Sequence, residues 1–188
     1  MTSLSPDAED LIFAINILRS IKLKTGRRAT AQHIRAQQRV YRELRVSRVV
    51  AIVENYLLMK AVRQRKPEWL MPVPPGRADK MTIALHRARM NIAGLVRFWK
   101  NELNVDLERL KRWTEFIDLR HLRHVLVHRL GLWQPALDPK PNLAERIRMV
   151  STDPDLYRGP IPLDETDLDQ AIALSLEIMK SLETRRLR

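Results

Sequence analysis

Between Thr30 and Gln64 the chain contains neither a proline nor a glycine. A stretch that long fits a helix and little else, because strands in globular domains are short and are closed off by turn residues. Its first half is basic and its second half, Val49 to Val62, is apolar. The sequence holds only five glycines in all, too few for the many tight turns of an all-β design. The expected fold is all-α, an up-and-down helical bundle of about five helices. One domain, 1–188, suits the chain length, which is enough for a real core.

The other segments agree with that reading. Ser5 as N-cap, Pro6 at the first helical position and acids in the first turn predict a helix from about Pro6 to Lys22. Thr25-Gly26 then breaks it, so that residues 1–28 make an N-terminal helix and a basic linker. Lys66 to Arg77 is proline-broken loop. Helical periodicity returns from about Lys80 to Lys100, with Ile83, Met90, Leu95 and Trp99 among the buried positions. Asn104 or Asp106 caps a further segment, as one helix or as two with a break near Asp118. Residues 134–162 carry six prolines and little periodicity outside Leu143 to Val150, and are expected as a long loop over something functional. From Asp164 to Arg185, acids lead and bases close a helix whose Leu168, Ile172, Leu176, Met179 and Leu182 share one face.

Charge and cysteine usage narrow the function. Without cysteine there is no disulfide, thiol nucleophile or thiolate metal site. The formal net charge of +12 suits a polyanionic partner, since clustered Lys and Arg release counterions from phosphates. A solvated, solubilising surface is the plain alternative. The charge is uneven: residues 19–48 hold ten Lys or Arg against the single acid Glu43, and residues 151–183 hold eight acids against two bases. The apolar run Leu11 to Leu18 is too short to span a bilayer and follows acids, so the expected setting is cytoplasmic, with no membrane partner.

The segment Arg120 to Arg129 places three histidines and three arginines among leucines and valines, with Gly131 beyond as a helix stop. At about 100° per residue, His121, His124 and His128 fall within roughly a 60° arc. Leu119, Leu122 and Leu126 lie on another side and face the core. Arg123 and His128 form an Arg-x4-His pair some 140° apart, a gap that a long guanidinium stem can bridge. Three readings stand. The first is acid–base cleavage of RNA without metal: one imidazole takes the 2′-hydroxyl proton, another protonates the leaving 5′-oxygen, and an arginine stabilises the phosphate charge. Both protonation states of imidazole are available near neutral pH. The second is a His-x2-His-x3-His zinc site, against which stands the lack of a nearby carboxylate ligand. The third is a set of quiet, hydrogen-bonded surface histidines.

Leu122-Arg123-His124-Val125-Leu126-Val127-His128-Arg129-Leu130-Gly131 resembles the signature of the HEPN superfamily, all-α domains whose Arg-x4-6-His motif marks ribonucleases. The polar residue that follows the arginine in that signature is here His124. A second similarity is the apolar helix Val49 to Leu57 with its one acid, Glu54. The likeness covers roughly 30–185, and its specific part is the Arg-x4-His block. It implies a metal-independent endoribonuclease of the bacterial toxin or phage-defence kind, with no cofactor, acting as a homodimer with one composite active site at the interface. Arg123 and His128 are then catalytic, with His124 orienting them or contacting phosphate. The tyrosine that some members carry two residues after the histidine is replaced by Leu130, which leaves an antitoxin partner of another kind. A noncatalytic nucleic-acid-binding or protein-interaction module on the same bundle is the alternative.

Glu54 is read as a partner for Arg123 or Arg120, since a carboxylate in an apolar stretch is costly to bury alone. An exposed helical acid is the other reading. Arg28, Arg35, Arg39 and Arg42 fall near one line, a stripe able to follow an RNA backbone, with Arg120 and Arg129 as further phosphate contacts; a solvated face is equally compatible. Of the tryptophans, most belong to the core, while Trp69 and Trp133 beside the proline-rich segments are the candidates to stack on bases.

Overall fold

The longest element is also the central one. A computed structural model describes residues 4–23, 30–65, 91–128, 132–133, 143–152 and 159–184. In it the proline-free stretch forms one helix, α2 (Ala31–Arg65), whose Val46, Val49, Val50, Val53, Tyr56 and Leu57 are buried. Around it pack α1 (Pro6–Ser20), α3 (Ile92–Glu102), α4 (Trp113–His128) and α6 (Glu165–Glu183), while α5 (Leu143–Thr152) lies against α4. The protein is all-α, with six α-helices among the described residues.

Helix direction is set by polar clasps at the helix ends. Asp7 meets Arg63 at 2.6 Å, and the Tyr41 hydroxyl donates to the Ile21 carbonyl, so α1 runs antiparallel to α2. The Tyr41 bond also marks where α1 stops: the chain turns to extended geometry at Ile21, short of the expected Lys22. Arg45 reaches Glu165 at 2.7 Å and Lys60 reaches Glu183 at 2.6 Å, which lays α6 parallel to α2. Asp164 caps α6 with a full capping box, completed by Asp167.

The clasp at the far end of α6 is a buried network. The Glu183 carboxylate accepts from Lys60 Nζ (2.6 Å), the Tyr56 hydroxyl (2.7 Å) and the Ser5 hydroxyl (2.9 Å). Burial pushes the Glu183 pKa upward, but the hydrogen bonds from Lys60, Tyr56 and Ser5 outweigh it and leave the group below its ordinary value. Tyr56 moves the other way, its hydroxyl raised by burial and by the neighbouring Glu183. Three helices are thereby joined by one carboxylate.

Asn91 caps α3 by accepting from the Gly94 amide at 2.7 Å. Its buried Trp99 donates from Nε1 to the Leu57 carbonyl at 3.2 Å, satisfying the one polar atom of that ring. Leu95 and Trp113 are buried as well. Asp106 does cap a helical turn, a 3-10 segment Leu107–Arg109, but α4 begins only at Trp113 and passes Asp118 without a break. The interruption falls instead at Arg112, whose φ of 63° no helix accepts. That guanidinium is held between Glu115 and Glu177, both at 3.4 Å.

The stretch 134–162 is not all loop. Its longest proline-free run forms α5, with Leu143 and Ile147 buried one turn apart. This is the helix beyond the expected five. Leu132–Trp133 (β1) pairs antiparallel with Gly159–Pro160 (β2), an exchange too short to leave any alternation in the sequence. The expected loop Lys66 to Arg77, Trp69, Ile83 and Met90 lie outside the described residues. No helix among the described residues is long and apolar enough to cross a membrane.

Candidate active site

Helix α4 divides cleanly between core and surface. Phe116, Leu119, Leu122, Val125 and Leu126 are buried, while His121, His124, Val127 and His128 are exposed. The histidine arc read from the helical period therefore faces outward. Within it the rings of His124 and His128, one turn apart, pack with centroids 4.7 Å apart and planes tilted by 43°.

Beside the histidines lies a three-residue ion cluster. Glu54 on α2 accepts from Arg120 Nε at 2.6 Å through one carboxylate oxygen and from Arg123 Nη1 at 2.9 Å through the other. Charge-assisted bonds this short fix both guanidiniums relative to the α2 backbone. All three side chains remain a quarter to a third exposed, so solvent screening keeps their contribution to stability small. Their value is positional. One carboxylate against two guanidiniums leaves a net positive charge, and among the described residues the remaining N–H donors of both arginines have no partner. Arg120 thus stands beside Arg123, on the other oxygen of the same carboxylate.

The basic stripe fares differently. Arg35 is exposed, but Arg39 pairs with Glu43 at 3.1 Å, and Arg42 donates to the Leu163 carbonyl at 3.5 Å and approaches Glu165 at 3.7 Å. Arg19 also approaches Asp169 on α6, at 3.9 Å. Part of the positive charge of residues 19–48 is thus met by the acids of the last helix. Arg28 and Arg129 lie outside the described residues. Glu43 is itself buried, which raises its pKa against the pull of Arg39. No group of three or more His, Asp or Glu among the described residues is placed to hold a metal ion, His121, His124 and His128 included.

Two features had no place in the sequence reading. One is the Lys60–Glu183–Tyr56 network, for which the only sign was a lysine inside an apolar run. The other is a cleft of about 370 Å³ between α1 and α2, lined by residues of both helices including Asp10, Arg48 and Asn55. Comparison with protein-family models, with curated proteins and with solved structures found no match.

Proposed function

We propose that this chain is a metal-independent endoribonuclease of the HEPN type, with Arg123, Arg120, His124 and His128 as its reactive face. The observation that carries the reading is the arrangement on α4: two guanidiniums held by Glu54 next to paired, exposed imidazoles. Guanidiniums recognise phosphate through several N–H donors at once, and imidazoles beside them supply proton transfer. In the reaction the ribose 2′-oxygen attacks phosphorus as its proton passes to one imidazole, and the P–O5′ bond breaks as a second imidazolium protonates O5′. The products are a 2′,3′-cyclic phosphate and a 5′-hydroxyl.

The attacking and leaving oxygens lie roughly in line through phosphorus. Base and acid must therefore stand on opposite sides of it. Rings packed 4.7 Å apart on one helix reach the same side. A second copy related by a two-fold axis brings the other side, which is why the reading includes a homodimer with a shared site. The toxin or defence role, and an antitoxin partner, follow from the family resemblance alone.

Incubation of the purified protein with a defined RNA in EDTA tests this. Cleavage leaving 2′,3′-cyclic phosphate ends is expected. Intact RNA, retained in a salt-sensitive complex, would instead favour the noncatalytic binding module.

Glu54 acts here as a positioning residue. Glu54→Gln keeps the shape but loosens both guanidiniums, and kcat is expected to fall by about tenfold to a hundredfold through misplacement. KM should stay level or drop, because the site gains positive charge. An unchanged kcat would remove Glu54 from that role.

A further inference from the structure

The outer face shared by α1 and α2 carries an apolar ladder that the chemistry on α4 does not use. Phe13 is 66% exposed and Leu44 62%, with Ile17, Ile21 and Val40 also exposed. Scattered single hydrophobics on a surface need no explanation, but a set in line does. Phe13, Ile17 and Ile21 succeed one another at four-residue steps along α1, and Val40 and Leu44 do so on α2. The helices are antiparallel and Tyr41 touches Ile21, so Ile21 and Val40 mark the same end of the ladder. The cleft between α1 and α2 marks the other end, where Asp10 and Ala14 continue the α1 line and Arg48 the α2 line.

Charge changes from one end of this face to the other. At the cleft end Glu9, one turn before Phe13, and Asp10 are exposed. Arg48 is the one cation lining the cleft against them, since Asp7 is already tied to Arg63. At the opposite end, residues 17–23 and 30–44 carry Arg19, Lys22, Arg35, Arg39 and Arg42. Their only acid, Glu43, is buried.

We infer that a second copy of this chain docks on the ladder, related by a two-fold axis passing near Ile17. A two-fold sets α1 antiparallel to its own counterpart and makes every contact twice. Phe13 then lies over Ile21 of the second copy, and each ladder covers the other. The acid end, Glu9 and Asp10, comes to the basic end that begins at Lys22 of the second copy. A parallel stacking would place acid on acid and base on base, so the arrangement that buries the apolar side chains is also the one that matches charge. The net charge of +12 opposes association of two copies. At about 0.15 M salt, however, screening confines that repulsion to charges within about 8 Å of each other, and those beside the ladder are of opposite sign. The acids at the cleft also turn away a phosphate backbone and an anionic lipid surface. The pairing rests on the nuclease reading for its purpose, and it supplies that reading's second copy beside the site. Asn55 lines the cleft, and its neighbour Glu54 holds the α4 arginines.

Sedimentation velocity of the full chain across a concentration series tests this, with a reversible monomer–dimer equilibrium expected. Ile17→Asp/Leu44→Asp, with helix content checked by circular dichroism, should raise the dimer Kd by about a hundredfold or more, because it places carboxylates in the covered face. Asp10→Lys and Lys22→Glu should each raise it by about tenfold or more, by setting like charges against each other. Combined in one chain they should return it close to the wild-type value, since acid and base have then only exchanged ends. A wild-type chain that stays monomeric throughout would overturn the inference, whether another protein or a membrane then covers the ladder. So would a dimer that the Ile17→Asp/Leu44→Asp variant leaves intact, which pairs by another face. A combined charge exchange no tighter than either single variant would overturn it as well. The two readings fail separately. A dimer that leaves RNA uncut sustains the pairing and defeats the nuclease, whereas cleavage by a monomer defeats the pairing and leaves the acid–base assignment on α4 standing.

Discussion

His128→Ala is expected to lower RNA cleavage by about three orders of magnitude with the melting temperature unchanged within error. The second half of that statement follows from exposure. His128 is the last described residue of α4, and its ring packs on His124 rather than into the core. Among the described residues, removing it opens no cavity and strands no buried partner, so the effect on stability is expected within about half a kcal/mol. The first half follows from chemistry, since a positioned acid or base contributes about a hundredfold to ten-thousandfold to proton transfer. His124→Ala should lose activity less steeply if it orients its neighbour, and Arg123→Ala should lose it through the phosphate. Gel-resolved cleavage of one RNA by each variant, alongside thermal unfolding, provides the check. Full activity in His128→Ala would sink the acid–base assignment.

The second large effect is structural. Glu183→Gln is expected to destabilise the fold by about 3 kcal/mol, lowering the melting temperature by roughly 10 °C. The substitution keeps the shape but leaves the Lys60 ammonium, itself buried, without its counter-charge. Breaking one side of a buried pair is costlier than replacing both, so Lys60→Met/Glu183→Leu should recover most of the loss. The pH dependence has a definite sign. The folded pKa of Glu183 lies below its ordinary 4.5. Its contribution is therefore present above that ordinary value and is lost as pH falls through the lower folded one. Asp7 and Glu43 run in the opposite sense: burial raises both, so the penalty for ionising them is relieved on acidification. In urea titrations, the gap between wild type and Glu183→Gln should be wide at neutral pH and close towards strongly acid pH. A gap that stays constant would locate the loss in packing rather than in charge.

How far the chain could be read in advance differs from element to element. The limits of α2, the acidic start and apolar face of α6, the Ser5 cap and the apolar face of α4 all followed from residues within a turn or two of each other. The same local rules misplaced the interruption before α4. Nothing in the sequence around Arg112 announces a positive φ; Glu177, on α6, helps to hold that arginine there. They also passed over α5, because six prolines across 134–162 outweighed one short periodic run whose buried face has meaning only against α4. The stripe through Arg35, Arg39 and Arg42 was drawn correctly as a line on a helix, yet α6 brings Glu165 and the Leu163 carbonyl to Arg42.

For the candidate site the division is the same. That α4 would present imidazoles on one face and leucines on another was settled by the sequence, since a period of 3.6 residues is a property of the backbone itself. That Glu54 would hold both Arg120 and Arg123, 66 and 69 positions along the chain, was decided only when α2 and α4 packed together. So was the union of Ser5, Tyr56, Lys60 and Glu183 around one carboxylate. Propensity, capping and periodicity act over one or two helical turns. Which charge meets which depends on how whole helices bury their apolar faces, a long-range choice that no short window of residues contains.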